Sequence, residues 1–287
     1  MMPFSYRNYV TQLRELVCAK TGSYAFDYSA ETLGAAHEQP LIENCVAADS
    51  LTLPFHGALV RLQFRLRAQT SHAAVFIDGN PLWEGTLSRA DLANPYNLVT
   101  LRVPEGEHTL CVQGRGALLY RVECYGGPWA VVNCGVGSCP VGRYLERYYD
   151  SYVAPLSPAI VLAEGHTIND WLTAETPTEY EALLGAYLRR VGADGAKAAL
   201  LTVEPILGRQ FSSAGYPFEA YIDASRHAAD TQRIPVIDTY AALAEILCSL
   251  PEEERGGAWF DDNWHPNAAG HTLYAALSWK LLRNWIE

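Results

Sequence analysis

Near the end of this 287-residue chain stands the string Asp262-Asn263-Trp264-His265-Pro266-Asn267-Ala268-Ala269-Gly270-His271. An Asp and a His three positions apart, on a loop ahead of a helix, can lie side by side. The carboxylate then accepts the imidazole Nδ1–H, and Nε2 is left to take a proton from a serine hydroxyl. Pro266 fixes the loop, and Asn267 can cap the helix that follows. Two earlier strings complement this one: Asn133-Cys134-Gly135-Val136-Gly137-Ser138 and Gly165-His166-Thr167-Ile168-Asn169-Asp170. Each follows an apolar run that reads as a buried strand. Loops at the C-terminal ends of parallel strands would bring Gly137, Ser138, Asn169, Asp262 and His265 to one sheet edge, where open α/β folds bind ligands. N–H donors aimed there at a developing oxyanion lower an acyl-transfer barrier by about 3 kcal/mol each. Gly135-x-Gly137 is too short for a nucleotide loop, which needs a longer glycine pattern and a downstream acidic residue.

These strings resemble conserved blocks of the SGNH (GDSL) hydrolase superfamily, over about residues 128–287. The resemblance implies a three-layer α/β/α, flavodoxin-like domain and a Ser-His-Asp triad in which His265 is the base and Asp262 its orienting carboxylate. The 133–138 string is similar to the family's Asn-x-Gly-x-Gly-Gly block, with Ser138 in place of the last glycine. That block implies oxyanion contacts from the backbone at Gly137 and Ser138. The 165–170 string is similar to the Gly-x-Asn-Asp block with two extra residues, and it implies that Asn169 is the other oxyanion donor. The family's first block, Gly-Asp-Ser, has no clean copy. Three readings of the nucleophile follow. Ser138 is a relocated nucleophile, Ser50 in Ala48-Asp49-Ser50 is the nucleophile, or the chain carries none. The third reading compares the helix near 6–20 with the helix that normally follows the Gly-Asp-Ser loop. His166, beside the oxyanion asparagine, reads either as a substrate contact or as a hydrogen-bonded structural histidine. His271 and Asp238 read as structural, and Glu164, at a strand end, reads either as lining the site or as pairing with an arginine.

The elements that must position these residues can be read from periodicity. Tyr6, Tyr9, Val10, Leu13, Leu16 and Val17 fall on one helical face, and a poorly patterned stretch runs on to about residue 48. From 50 to 125, short alternating runs such as Val60-Leu62-Phe64-Leu66 and Val99-Leu101-Val103 are separated by turn signals at Asp78-Gly79-Asn80 and Pro104-Glu105-Gly106. That pattern predicts an antiparallel β-sandwich, and it resembles the jelly-roll domains attached to carbohydrate esterases of the superfamily. After Gly127 the runs lengthen. Strands are expected at 129–132, 160–162, 198–203 and 234–237. Helices are expected at about 141–153, 180–191, 217–230 and 239–249, and from 268 to the end. Alternating strands and helices imply a parallel sheet covered on both sides. The expected organisation is 1–48 as a helix and connecting segment packing on the hydrolase domain, 49–126 as sandwich, and 127–287 as hydrolase.

Composition narrows the function. Hydrophobic residues make up 49% of the chain and charged ones 18%, which fits globular domains with real cores. Against 32 acidic side chains stand 21 Lys and Arg, for a net charge of −11. A field of that sign does not draw nucleic acid. No apolar run approaches the roughly 20 residues of a membrane span, and the first residues show no leader pattern. Seven cysteines without a CxxC pair or zinc-type ladder read as reduced thiols of a cytoplasmic protein. No metal or cofactor is implied. The expectation is a serine esterase that removes a small acyl group, such as acetyl, from a carbohydrate or similar small-molecule ester. The alternative is an inactive SGNH-like carbohydrate-binding or scaffold protein.

Overall fold

The computed structural model describes residues 8–36, 45–48, 51–66, 70–88, 96–173, 175–207 and 215–286. The chain forms two compact units, one of Met1–Leu16 with Val132–Glu287 and the other of Val17–Val131. It opens with helix α1 (Tyr9–Thr21). In the first unit, the Tyr9 ring stacks on His271 at 6.3 Å and tilts against Tyr274 at 5.7 Å.

The second unit is antiparallel. It holds β1 (Tyr24–Ser29), the short helix α2 (Ala30–Ala36), β2 (Val46–Ala47), β3 (Leu51–Leu66), β4 (Thr70–Ile77), β5 (Asn80–Ser88), β6 (Tyr96–Arg115) and β7 (Ala117–Gly126). Six strands pair in the order β1-β7-β3-β6-β4-β5, and β2 pairs with β7. β1 and α2 fall in the stretch that had no readable pattern. Asp78 and Gly79, both at positive φ, make the tight turn between β4 and β5.

The expected turn at Pro104-Glu105-Gly106 is not one, because β6 runs straight through it. The physical reason lies in the partner strand. The register with β6 shifts between Gly57 and Leu59 of β3, and an irregularity of one residue swaps the faces of a strand. Leu51, Leu53 and Phe55 before it, and Val60, Leu62, Phe64 and Leu66 after it, therefore point into the same core. β6 makes the matching switch between Val103 and Leu110, both of which face that core. Gly57 is required at the shift, since a Cβ there would come 2.6 Å from the Tyr125 carbonyl oxygen.

The first unit continues with α3 (Val141–Arg147), α4 (Tyr149–Tyr152), β8 (Ile160–Glu164), α5 (Thr167–Leu172), α6 (Pro177–Ala193), β9 (Lys197–Leu201), α7 (Phe218–Thr231), β10 (Val236–Ile237), α8 (Thr239–Ser249), α9 (Arg255–Trp259) and α10 (Ala268–Leu282). Its sheet is parallel, in the order β10-β9-β8. Ala199, Leu201 and Ile237 meet Leu243 of α8 and Tyr274 of α10 in one core. Leu200 points the other way and is also fully buried, and α6 packs against both β9 and α7. The expected strand at 129–132 does not form. Ala130 is exposed and its neighbours are half-buried. A strand inside a sheet covered on both sides is buried on both faces, and this run is not. No helix among the described residues is long and apolar enough to cross a membrane.

Candidate active site

The loop before α10 is locked by its own backbone. Asp261 N–H donates to the His265 carbonyl at 2.9 Å, Asn267 N–H to Trp259 at 2.9 Å, and Leu207 N–H to Asn263 at 3.0 Å. The Asn267 side chain caps α10 through Ala269 N–H at 2.9 Å and Gly270 N–H at 3.3 Å. Gly270 has to be glycine, because a Cβ would lie 2.6 Å from Pro266 Cβ and 2.9 Å from the Trp259 carbonyl oxygen. Within this loop, Asp262 Oδ1 accepts the backbone N–H groups of Trp264 at 2.7 Å and His265 at 2.8 Å. Its Oδ2 accepts the His265 Nδ1–H at 2.7 Å. The carboxylate so fixes the ring, and Nε2 is free to act as an acceptor. Burial alone would raise the Asp262 carboxyl, but those three bonds outweigh it and hold the group below the usual carboxylate range.

The Asn169 turn lies at the end of β8. Its helix α5 starts after His166, whose φ of 55° is left-handed. The His166 carbonyl accepts Asn169 N–H at 2.9 Å. Asp170 is fully buried, and its Oδ2 accepts Val141 N–H at 2.9 Å, which ties this turn to the start of α3. Burial, with Glu175 and Glu164 adding to it, pushes Asp170 up to about 8 against the opposing Val141 N–H. The third turn, 133–139, opens with Asn133 Oδ1 accepting Gly135 N–H at 2.9 Å. Gly137 and Ser138 are exposed. Ser138 has a φ of 54°, a conformation that suits glycine and so accounts for the glycine of the pattern it resembles.

The sequence-predicted residues therefore occupy three braced turns. His166 joins the 133–139 turn to the Asn169 turn, and Asp170 joins the start of α3 to it. Trp264 packs edge-on against Trp171 of α5, with centroids 6.3 Å apart, and joins the His265 loop to the same helix. Among the described residues, no hydroxyl is hydrogen-bonded to Nε2 of His265. Ser50, the alternative nucleophile, lies outside the described residues. His166 is only 6% exposed, and its ring nitrogen is taken by the Cys139 carbonyl, which leaves little of it to meet a substrate.

Sequence reasoning missed the braces themselves. Trp264 stood inside the quoted motif, where its size was the available signal. Glu204 was also missed. It follows β9 at 6% exposure and accepts from the Tyr274 hydroxyl. Burial pushes its carboxyl up to about 7, with Glu164 adding to the rise and Tyr274 and His265 opposing it.

The GDSL-like Lipase/Acylhydrolase family matches residues 108–273, more than half of the chain and a span that contains all three turns. The chain belongs to this family. It is accordingly a hydrolase acting on esters. No curated protein matches the sequence. Among solved structures, the chain is similar to the protein YxiM from Bacillus subtilis at 14% identity over 91% of this chain and 88% of that one, with a TM-score of 0.49. It is also similar to Axe2, an acetylxylan esterase from Geobacillus stearothermophilus, at 22% identity over 52% and 70% of the two chains, with a TM-score of 0.43. A third is the acetyl xylan esterase AlAXEase, at 19% identity over 51% and 77%, with a TM-score of 0.44.

Proposed function

We propose that this GDSL-family member is a serine esterase of SGNH type that hydrolyses a small acyl ester, an acetyl ester of a carbohydrate. The observation that carries the reading is the 2.7 Å bond from His265 Nδ1 to Asp262, in a loop braced to the helix of Asn169. Ser138 is the nucleophile we favour. A serine at positive φ on a sharp turn ahead of a helix holds its hydroxyl out from the backbone, as strained nucleophile turns do. In the reaction, His265 Nε2 takes the Ser138 proton as Oγ bonds to the acyl carbon. The oxyanion receives N–H groups from Gly137, Ser138 and the Asn169 side chain. Collapse breaks the ester C–O bond, and the alcohol leaves with the proton from His265. Water then repeats the sequence and frees the acid.

In this reading the parallel sheet and its helices are the flavodoxin-like SGNH core, and the antiparallel unit is a jelly-roll-like attachment. The carbohydrate portion of the substrate rests on that likeness alone. A reducing, cytoplasmic setting rests on the sequence alone, whose cysteines form no CxxC pair.

A second reading is favoured by one observation, the lack of a described hydroxyl on His265 Nε2. It makes the chain a non-catalytic carbohydrate-binding or scaffold relative. Turnover of p-nitrophenyl acetate separates the two. The esterase reading expects turnover that drops at least about 100-fold in His265→Ala, with a fluorophosphonate probe labelling Ser138. Undiminished turnover in His265→Ala rules out the triad, and a wild type that neither turns over nor labels supports the second reading.

A further inference from the structure

The turn that carries Gly137 and Ser138 is gripped at both ends by one pair of rings in tilted contact. Tyr144 of α3 donates its hydroxyl to the Cys134 carbonyl at 2.8 Å, where the turn begins. His166 donates Nδ1–H to the Cys139 carbonyl at 2.8 Å, where it ends. A carbonyl can only accept, so Nδ1 carries the hydrogen. The two ring centroids are 4.8 Å apart. Tyr187 of α6 closes edge-on against both, at 5.7 Å from Tyr144 and 6.3 Å from His166. All three side chains are buried.

His166 makes a further link through its backbone. Its carbonyl accepts the N–H groups of Asn169 at 2.9 Å and Asp170 at 3.2 Å. A single residue thus holds the turn of Gly137 and Ser138 with its ring and the turn of Asn169 with its carbonyl. It does so at a φ of 55°, where an L residue is disfavoured by about 1 kcal/mol or more. Simple core filling does not call for a strained backbone and a ring donor matched to one carbonyl.

We propose that His166 is a positioning residue, which with Tyr144 clamps the 134–139 turn and sets the aim of the Gly137 and Ser138 amides relative to Asn169. The catalytic consequence rests on the esterase reading above; the clamp itself does not.

Three variants test it. His166→Phe keeps the ring contact and removes the donor. His166→Asn restores a short N–H donor and tolerates the left-handed backbone. Tyr144→Phe releases the other end without changing the ring. The first readout is the ¹⁵N order parameter of the Gly137 and Ser138 amides in the full chain. It is expected to fall from about 0.85 towards about 0.6 in His166→Phe, with α6 unchanged, and to recover in His166→Asn. Tyr144→Phe should move it the same way by less. The second readout is p-nitrophenyl acetate kinetics. We expect kcat to fall by about 10- to 100-fold with KM within about twofold, and His166→Asn to regain most of the loss. Unchanged order parameters in both His166→Phe and Tyr144→Phe overturn the clamp. A loosened turn with wild-type kcat, in a protein that His265→Ala inactivates, overturns its catalytic role. Should His265→Ala turn over like wild type, the esterase reading fails and the order parameters still decide the clamp.

Discussion

Trp264 meets Trp171 edge-on, with centroids 6.3 Å apart and ring planes at 69°. Trp264 stands between Asp262 and His265, and Trp171 follows Asn169 by two residues, so the contact couples the imidazole loop directly to the helix of Asn169, the proposed oxyanion donor. Trp171 is itself immobilised. It is fully buried, its Nε1–H donates to the Tyr216 carbonyl at 3.2 Å, and Phe218 packs edge-on at 5.6 Å.

Removing that coupling should leave the dyad intact but poorly aimed. In Trp264→Ala the Asp262–His265 bond survives, because it is local to the loop. Stability is expected to fall by only about 1 kcal/mol, the value of an aromatic pair. Turnover should fall further, by about 10- to 100-fold, since small misplacements of a catalytic group are expensive. Trp264→Phe should regain most of it. Thermal unfolding and p-nitrophenyl acetate kinetics on the same samples check the split, and parallel losses in both would count against it.

Asp262 keeps its charge at low pH. The ring N–H and two backbone N–H groups outweigh the effect of burial and hold its carboxyl below the ordinary range. Its small contribution to stability is therefore present above the ordinary carboxylate pKa, about 3.9, and disappears only as pH falls through the lower folded value. Protonation of Asp262 should therefore not set the acid-side loss of activity. Asp262→Asn should cut kcat by about 10³-fold or more, because the amide no longer selects the tautomer with Nε2 unprotonated. A pH–rate profile whose acid limb moved with the Asp262 substitution but left kcat intact would contradict this assignment.

Much of this was legible in the sequence. The segments of β8 and β9, the long helices and the Asp262–His265 loop announced themselves because local pattern and cap chemistry agree there: Thr176 and Glu179 form a capping box on α6, Asp238 caps α8, and Asn267 caps α10. The errors came where distant partners decide. Trp129–Val132 has the composition of a buried strand, yet the tertiary fold leaves Ala130 exposed. Pro104-Glu105-Gly106 has turn residues, yet the shift at Gly57 in the neighbouring strand converts the segment into a change of face within one long strand. Within the site, residue types and spacing pointed to the Asp262–His265 pair, which the structure joins by a hydrogen bond. They gave no sign that Tyr144 and His166 share one turn, or that Trp264 leans on Trp171, because such contacts depend on the tertiary fold.

The buried Glu204 makes stability fall with rising pH. Its folded value of about 7 lies above the ordinary glutamate value of about 4.3. Between the two, the folded protein keeps a proton that the unfolded chain has released, so each step up in pH favours unfolding. The penalty is complete well above pH 7 and is on the order of 4 kcal/mol at most. Asp170, raised to about 8 by burial, acts in the same direction. Glu204→Gln removes one of the two titrations. Its melting temperature should decline less than that of the wild type between about pH 5 and about pH 8. Identical slopes would place the Glu204 carboxyl in a less apolar setting than its 6% exposure indicates.

Ser138 offers an opposition of stability and function at one position. Its φ of 54° suits glycine, and the hydroxyl side chain there is strained by about 1 kcal/mol. Ser138→Gly should therefore raise the melting temperature while it keeps the backbone N–H. If the Ser138 hydroxyl is the nucleophile, the same substitution abolishes both turnover and fluorophosphonate labelling. If Ser138 serves only as an amide donor, the glycine variant stays active and gains stability as well. Nucleophilic serines are tolerated in strained turns because the strain exposes the hydroxyl. We therefore expect a variant that is more stable and inactive. A stable variant with wild-type turnover of p-nitrophenyl acetate would move the nucleophile away from this turn.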